Sequence, residues 1–215
     1  MNACSCTATH DGRRVVLTGG PGAGKSAVLE LIRLFFCGHV RLVRESASIV
    51  FGGGFPRNEG VHGRQAAQRA IFQVQRELES IQAHANAAVV LCDRGTVDGS
   101  AYWLGEGDLW SSLGVSREEE LARYHTVIHL RTPSEPAAYE HENPLRVETQ
   151  LEARAIDARI AAAWAGHPRM FEIPASPDFL SKAARALELL RDVVPPCCRS
   201  GVQPFLWRAS DGSPA

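Results

Sequence analysis

Lysine is almost missing from this chain: Lys25 and Lys182 are the only two in 215 residues. Arginine carries nearly all the basic charge, and a formal net charge of -1 leaves no overall positive field to draw in nucleic acid or an anionic membrane. No stretch reaches the roughly 18 uninterrupted apolar residues of a membrane span. The polar start MNACSCTATHDGRR also lacks the apolar region of a signal peptide, so a soluble cytoplasmic protein is expected. Neither lysine follows asparagine, since Lys25 follows Gly24 and Lys182 follows Ser181, so the Asn-Lys-x-Asp string of a conventional small GTPase is absent. Among the eight histidines only His125 and His129 stand four apart, and they flank a strand candidate instead of sharing a helix face, which argues against a metal hydrolase.

Cysteine is present but in unpromising places. Neither Cys4-x-Cys6 nor Cys197-Cys198 has the C-x-x-C spacing of a zinc ribbon, and Cys37 and Cys92 fall in apolar segments where thiols pack as small hydrophobes. A reducing cytosol disfavours disulfides. No cysteine is therefore expected to ligate a metal.

What is present begins with GGPGAGKS, residues 19–26, which fits G-x-x-x-x-G-K-[ST] and follows the apolar run Val15, Val16, Leu17. A strand, a glycine loop and a helix in that order turn backbone N–H groups inward around a polyphosphate and aim a helix dipole at it. Gly20, Gly22, Ala23, Gly24, Lys25, Ser26 and Ala27 are the expected nucleotide contacts. Lys25 serves as a point charge on the outer phosphates, and the Ser26 hydroxyl as a ligand of Mg²⁺. ATP and Mg²⁺ are the cofactors this implies.

Short apolar segments at 14–18, 40–44, 88–92, 126–130 and 170–173 alternate with helical stretches near 25–36, 63–85, 117–123, 147–165 and 177–192. This pattern predicts an α/β P-loop NTPase fold, a parallel five-stranded sheet with helices on both faces. At 45% hydrophobic content, with no internal repeat, one domain is expected over 13–194, between tails at 1–12 and 195–215.

Ligands of such sheets bind beyond the carboxyl ends of the strands, and three of these ends carry charge: Arg44 and Glu45, Asp93 and Arg94, and Arg131. Asp93 follows VVLC in the Walker B manner and is the expected Mg²⁺ carboxylate, directly or through water. Glu45 precedes the loop FGGGFPRNEGVHGR, 51–64, where Phe51, Phe55, Arg57, His62 and Arg64 offer stacking surfaces and charge to a small acceptor. Tyr102 and Trp103 could form the opposite wall but read more readily as core.

Together, GGPGAGKS, RES, the helix GRQAAQRAIFQVQRELES and VVLCDRGTVDGSAYW resemble the AAA_28-type, P-loop kinase-like family that contains the ribosylnicotinamide kinase domain and the TRPL translocation defect proteins. More distantly the chain resembles thymidylate kinase and the deoxynucleoside kinases. The resemblance implies a nucleoside-monophosphate-kinase-like fold and transfer of the γ-phosphoryl group of ATP to a hydroxyl of a nucleoside-like or other small molecule. It implies phosphate and Mg²⁺ roles for Lys25 and Ser26, acceptor or Mg²⁺ roles for Glu45 and Asp93, and an acceptor-side role for Arg94, Arg44, Phe55, Arg57 and Arg64. It also implies a lid at 131–148 in which Arg146 or Arg131 closes on the transferring group, although residues 132–145 contain no arginine. The alternative it carries is a nucleotide-regulated NTPase or binding module that recognises a protein or lipid; no polybasic tail speaks for lipid. A homodimer is compatible with these readings, and nucleic acid is not an expected partner.

Overall fold

The computed structural model describes residues 4–57, 60–133, 149–176 and 178–199. Five strands form one sheet: β1 (Arg13–Thr18), β2 (Val40–Val43), β3 (Val89–Asp93), β4 (Thr126–Leu130) and β5 (Met170–Ile173), in the order β2-β3-β1-β4-β5. Every pairing is parallel, with Val15 opposite Leu91 on one side of β1 and Leu17 opposite Ile128 on the other.

The period-two alternation of the strands explains the two layers of helix. Val15, Leu17, Val89, Leu91, Ile128 and Leu130 face one way, against Val28, Leu29 and Ile32 of α1 (Lys25–Phe35) and Ala183, Ala186, Leu187 and Leu190 of α7 (Phe179–Val193). Val16, Val90, Cys92 and Val127 face the other way, against Val97 and Ala101 of a 3₁₀ segment, Thr96–Tyr102, and Ile156, Ile160 and Trp164 of α6 (Gln150–Trp164). Both faces of the central strands are thus buried, as their continuous apolar runs require.

The remaining helices are α2 (Ser46–Gly52), α3 (Gly60–Ala83), α4 (Leu109–Leu113), α5 (Arg117–Ala122) and α8 (Pro196–Arg199). Two differences from the sequence pattern bear on function. β2 stops at Val43, so Arg44 and Glu45 belong to the turn into α2, a helix that fills the start of what reads as a glycine-rich loop. Residues 4–10 and α8, on the stretches read as tails, lie against the sheet: Cys4 and Cys6 pack on the core and Cys198 is fully buried in it. Among the described residues, no helix is long and apolar enough to cross a membrane.

Helix starts divide into two kinds. Asp108, Ser116, Thr149 and Asp178 cap α4, α5, α6 and α7 by accepting a backbone N–H with a side-chain oxygen. At α1 the capping residue is Gly24, with φ 89° and no side-chain acceptor. No side chain caps its first N–H groups, as anion binding at a helix start demands; the short α2, preceded by Glu45, likewise has no side-chain cap.

Candidate active site

The loop before α1 can take its shape only with glycine at two places. At Gly19, with φ 141°, an added Cβ would sit 2.1 Å from the Leu130 carbonyl oxygen; at Gly20 it would sit 2.5 Å from Thr132 Oγ1. The loop is then tied down from two distant segments and from the start of α1. Asp157 of α6 accepts the Gly20 N–H at 2.8 Å while also pairing with His129 Nε2 at 2.9 Å and Arg131 Nε at 3.3 Å. Lys182 of α7 is buried and donates to the carbonyls of Ala23, at 2.8 Å, and Arg131, at 2.6 Å. Lys25 donates to those of Gly19, at 2.9 Å, and Gly20, at 3.1 Å. Both lysines of the chain therefore hold the same loop.

A cleft of about 1400 Å³ opens beyond the carboxyl ends of the strands. Its walls bring together Lys25, Ser26, Arg44, Glu45, Asp93 and Arg94, residues separated by up to 69 positions in sequence. Gly22, Ala23, Gly24 and Ala27 line it as well, whereas Gly20 serves the loop from behind, through Asp157. Arg57 reaches the cleft with its guanidinium 4.6 Å from the centre of the Phe51 ring. Tyr102 is a wall residue of the cleft, while Trp103 lies beside Arg69 instead. Phe55 and Arg64 are not among the lining residues, and Arg64 is exposed on α3. Arg131 lies in a separate hollow of about 690 Å³ with Asp157 and Glu172. Arg146 and residues 134–148 of the expected lid lie outside the described residues.

Charge in the cleft is ordered around Arg94. Its backbone is left-handed, φ 68°, a conformation that costs a non-glycine residue about 1–2 kcal/mol. Two hydrogen bonds hold it there: its N–H donates to the Leu17 carbonyl at 3.1 Å, and its carbonyl accepts from Gln75 Nε2 at 3.1 Å. So placed, the guanidinium donates to Glu45 Oε1 at 2.7 Å and to Asp98 Oδ1 at 3.4 Å, and lies 5.7 Å from the Tyr102 ring centre. Burial works against its cation, but Tyr102, Glu45 and Asp98 outweigh that and hold it more firmly protonated than usual. Burial would also raise the Glu45 carboxyl, yet the Arg94 charge, with hydrogen bonds from Ser48 and Arg94, brings it down to about 2.

Asp93 has the opposite character. Burial lifts its carboxyl above the ordinary range, against the pull of Lys25, and its Oδ1 is buried with no hydrogen-bond partner among the described residues. An orphaned carboxylate oxygen is rare in a folded interior and suits a cation or the water around one. Beside it, burial and then the Arg94 charge bring the Lys25 ammonium down to about 8, a state that incoming phosphate would reverse.

Three site residues escape a reading of the sequence. Asp98 accepts hydrogen bonds from Thr18 Oγ1, the Gly95 N–H at 2.9 Å and Trp164 Nε1 at 3.2 Å, and braces Arg94. It stands five positions after Asp93 in the same motif, and its fixed spacing from Arg94 was the available signal. Asp157 and Lys182 sit within amphipathic helices and carry no local signal at all. Behind Gln75 lies a support that also escapes the sequence: its Nε2 donates to the fully buried Glu79, which accepts from Arg123 at 2.6 Å and from the Tyr124 hydroxyl at 2.7 Å.

With this geometry in hand, the chain compares with known proteins as follows. The family described as AAA domain, AAA_28, matches residues 14–179. Among curated proteins none matches the chain in sequence. Solved structures share its fold. The NadR protein in complex with NR superposes with a TM-score of 0.65 at 14% identity, over 86% of this chain and 52% of that one. Deoxyadenosine kinase from M. mycoides with bound dATP gives 0.59 at 13%, over 83% and 98%. Thymidylate kinase from Candida albicans gives 0.55 at 12%, over 86% and 93%. The chain thus spans about half the length of the NadR chain and nearly all of the two kinases.

Proposed function

The chain belongs to the AAA_28 family, and from that membership and the cleft just described we propose that it is a Mg²⁺-dependent kinase that moves the γ-phosphoryl group of ATP to a hydroxyl of a nucleoside-like or other small acceptor. One observation carries the reading: a glycine loop with an open helix start, a buried carboxylate oxygen without a partner and an acid–arginine pair all face one cleft.

The N–H groups of the loop and of the first turn of α1 would hold the phosphates, with Lys25 exchanging its two carbonyl partners for phosphate oxygens. Ser26 and Asp93 would hold Mg²⁺, which when bound neutralises charge on the transferring group. Glu45, at about 2, is ionised and a weak base. It therefore orients the acceptor hydroxyl by accepting its hydrogen bond, which suffices where the transition state is loose and the hydroxyl needs little prior deprotonation. Arg94 gives Nε to Glu45 and one Nη to Asp98, so it fixes the direction of Glu45 and keeps its remaining donors for the acceptor side. Arg44, Phe51 and Arg57 form the wall beyond, with a ring and two guanidinium groups suited to a flat, polar acceptor.

The test is incubation with γ-labelled ATP or GTP, Mg²⁺ and a library of hydroxylated metabolites that includes nucleosides. A labelled acceptor is expected with the wild type and none with Lys25→Ala, which should still unfold in one cooperative transition. Label released only as inorganic phosphate would make the protein an NTPase. Undiminished transfer by Lys25→Ala would remove the loop from the active site.

A further inference from the structure

A second constellation lies away from the loop, at the amino ends of β1 and β2, and nothing in the proposed reaction uses it. Three segments meet there: residues 4–10 ahead of β1, the turn Cys37–His39 between α1 and β2, and α8. The donor atoms of Cys6, His10, His39 and Cys198 all lie within 4.8 Å of one another. Three distances define the shape: Cys6 Sγ to His10 Nε2 is 3.5 Å, Cys198 Sγ to the same nitrogen 3.6 Å, and Cys198 Sγ to His39 Nδ1 3.5 Å. In a tetrahedral zinc site, with Zn–S of about 2.3 Å and Zn–N of about 2.0–2.1 Å, sulfur and nitrogen ligands stand about 3.6 Å apart. The three observed spacings match sulfur–nitrogen edges of that tetrahedron.

Ordinary packing accounts poorly for this arrangement. Cys198 is fully buried and faces two imidazole nitrogens, so as a thiol it must donate to one ring and accept from the other, whereas as a thiolate it can share a cation with both. Cys6 Sγ also accepts the Ala8 N–H at 3.4 Å, which favours its thiolate. Asn86 fixes the segment by accepting the His10 N–H at 2.9 Å and donating to the Ala8 carbonyl at 3.2 Å.

We propose that Cys6, His10, His39 and Cys198 bind one Zn²⁺ ion in a closed structural site that ties residues 4–10 and α8 to the turn before β2. Two thiolates and two neutral imidazoles complete a tetrahedron, leave no position for substrate, and are the donor set that selects zinc over the oxygen-seeking Mg²⁺ or Ca²⁺. Binding displaces the thiol protons of Cys6 and Cys198, two per ion, to solvent. Cys4 and Cys37 form a second set with the same His39 and Cys198. One ion is assigned because two would require both shared residues to bridge, and two sulfur–nitrogen distances particular to the Cys6–His10 set, 3.5 and 3.6 Å, match tetrahedral edges. The local spacing of the cysteines gave no sign of this site, because its ligands come from three segments that only the fold assembles.

The full chain, purified under reducing conditions and offered Zn²⁺, should retain one ion per chain through gel filtration. A strong chelator should lower its thermal midpoint, and added Zn²⁺ should restore it. Cys6→Ser with His10→Ala should lose the ion, both changes lying ahead of the first strand; Cys4→Ser and Lys25→Ala should keep it. Co²⁺ in place of zinc should give tetrahedral ligand-field bands with charge transfer from two thiolates, and His10→Cys should raise that to three. Failure to retain zinc, or a disulfide among these cysteines in the freshly reduced and metal-supplied protein, would overturn the site. Loss of zinc from Cys4→Ser but not from the Cys6, His10 double variant would overturn the ligand set. Kinase assays play no part in these readouts, so the two proposals stand or fall separately.

Discussion

Replacing Glu45 by glutamine keeps its shape and removes its charge, so the variant asks what that charge does. Glu45 sits 2.7 Å from Arg94 with 30% of its side chain exposed, and its carboxyl is displaced from 4.5 to about 2. That displacement corresponds to roughly 3 kcal/mol, and solvent screening at such an exposure reduces the share that counts toward stability to about 1–2 kcal/mol. At pH 7, Glu45→Gln should therefore lower the thermal midpoint by about 2–8 °C in a chain of this size. The sign of the pH dependence is fixed. A depressed folded value means that the contribution is fully present above 4.5 and fades as pH falls toward about 2, so wild type and variant should converge in acid. Turnover should fall by about 10²-fold, the lower end for a lost catalytic contact, with no new dependence on pH between 5 and 8, because a group near 2 does not titrate there. Mg²⁺-ATP affinity should change little if Glu45 serves the acceptor, as proposed. Calorimetry, denaturation across pH and steady-state kinetics measure the three arms. Unchanged turnover, or loss of Mg²⁺-linked ATP binding, would refute the division of roles. A stability gap as wide at pH 3 as at pH 7 would refute the ion pair as its source.

Asp93→Asn should do the reverse, leaving Mg²⁺-free nucleotide binding intact and abolishing the increment that Mg²⁺ adds, as titrations with and without the ion will show; retention of that increment would take Asp93 out of the metal site. Lys182→Met strips two carbonyls of their donor, at about 1–3 kcal/mol each, while relieving an ammonium that burial brings from 10.5 down to about 8. These terms nearly cancel, so stability at pH 7 should stay within about 2 kcal/mol of wild type while nucleotide affinity drops as the loop loosens. A lowered lysine value means that the unfolded chain holds more protons between about 8 and 10.5, so wild-type stability should rise across that window. The rise should be smaller in Lys182→Met, where only Lys25 still contributes it, and equal rises in the two proteins would refute the burial of the ammonium.

The sheet was legible because each of its strands is a short apolar run whose period-two alternation and spacing by helical stretches leave a parallel arrangement as the economical solution. Val15, Leu17 and Val16 divide between the two faces as that alternation requires. What stayed hidden was short. α2 begins directly after Glu45 and runs through Gly52 into the start of the loop read over 51–64, and its first residue is anchored by the Ser46 hydroxyl donating to Gln75. The site divides the same way. Lys25, Ser26, Asp93, Arg94 and Glu45 could be found because each follows a strand or the glycine loop at a fixed offset, and the fold brings all of them to the cleft.

The residues that steady the loop have no such offset, and the composition explains why they matter. Asp157 and Lys182 stand 137 and 159 positions from their loop partners, Gly20 and Ala23, so no local pattern can join them. Yet a glycine loop is entropically expensive to hold open, and its carbonyls, once turned toward the protein, need donors. Arginine, abundant in this chain, presents a wide planar fork that does not fit between two converging carbonyls, whereas an ammonium does. Of the two lysines retained, Lys182 supplies that compact donor from behind the loop and Lys25 supplies it from within. The partition follows from exposure: the buried Lys182 is fixed in its structural bonds, while the half-buried Lys25 is free to leave Gly19 and Gly20 for an incoming phosphate. Scarcity of lysine elsewhere in the chain thus marks the two places where an arginine could not serve.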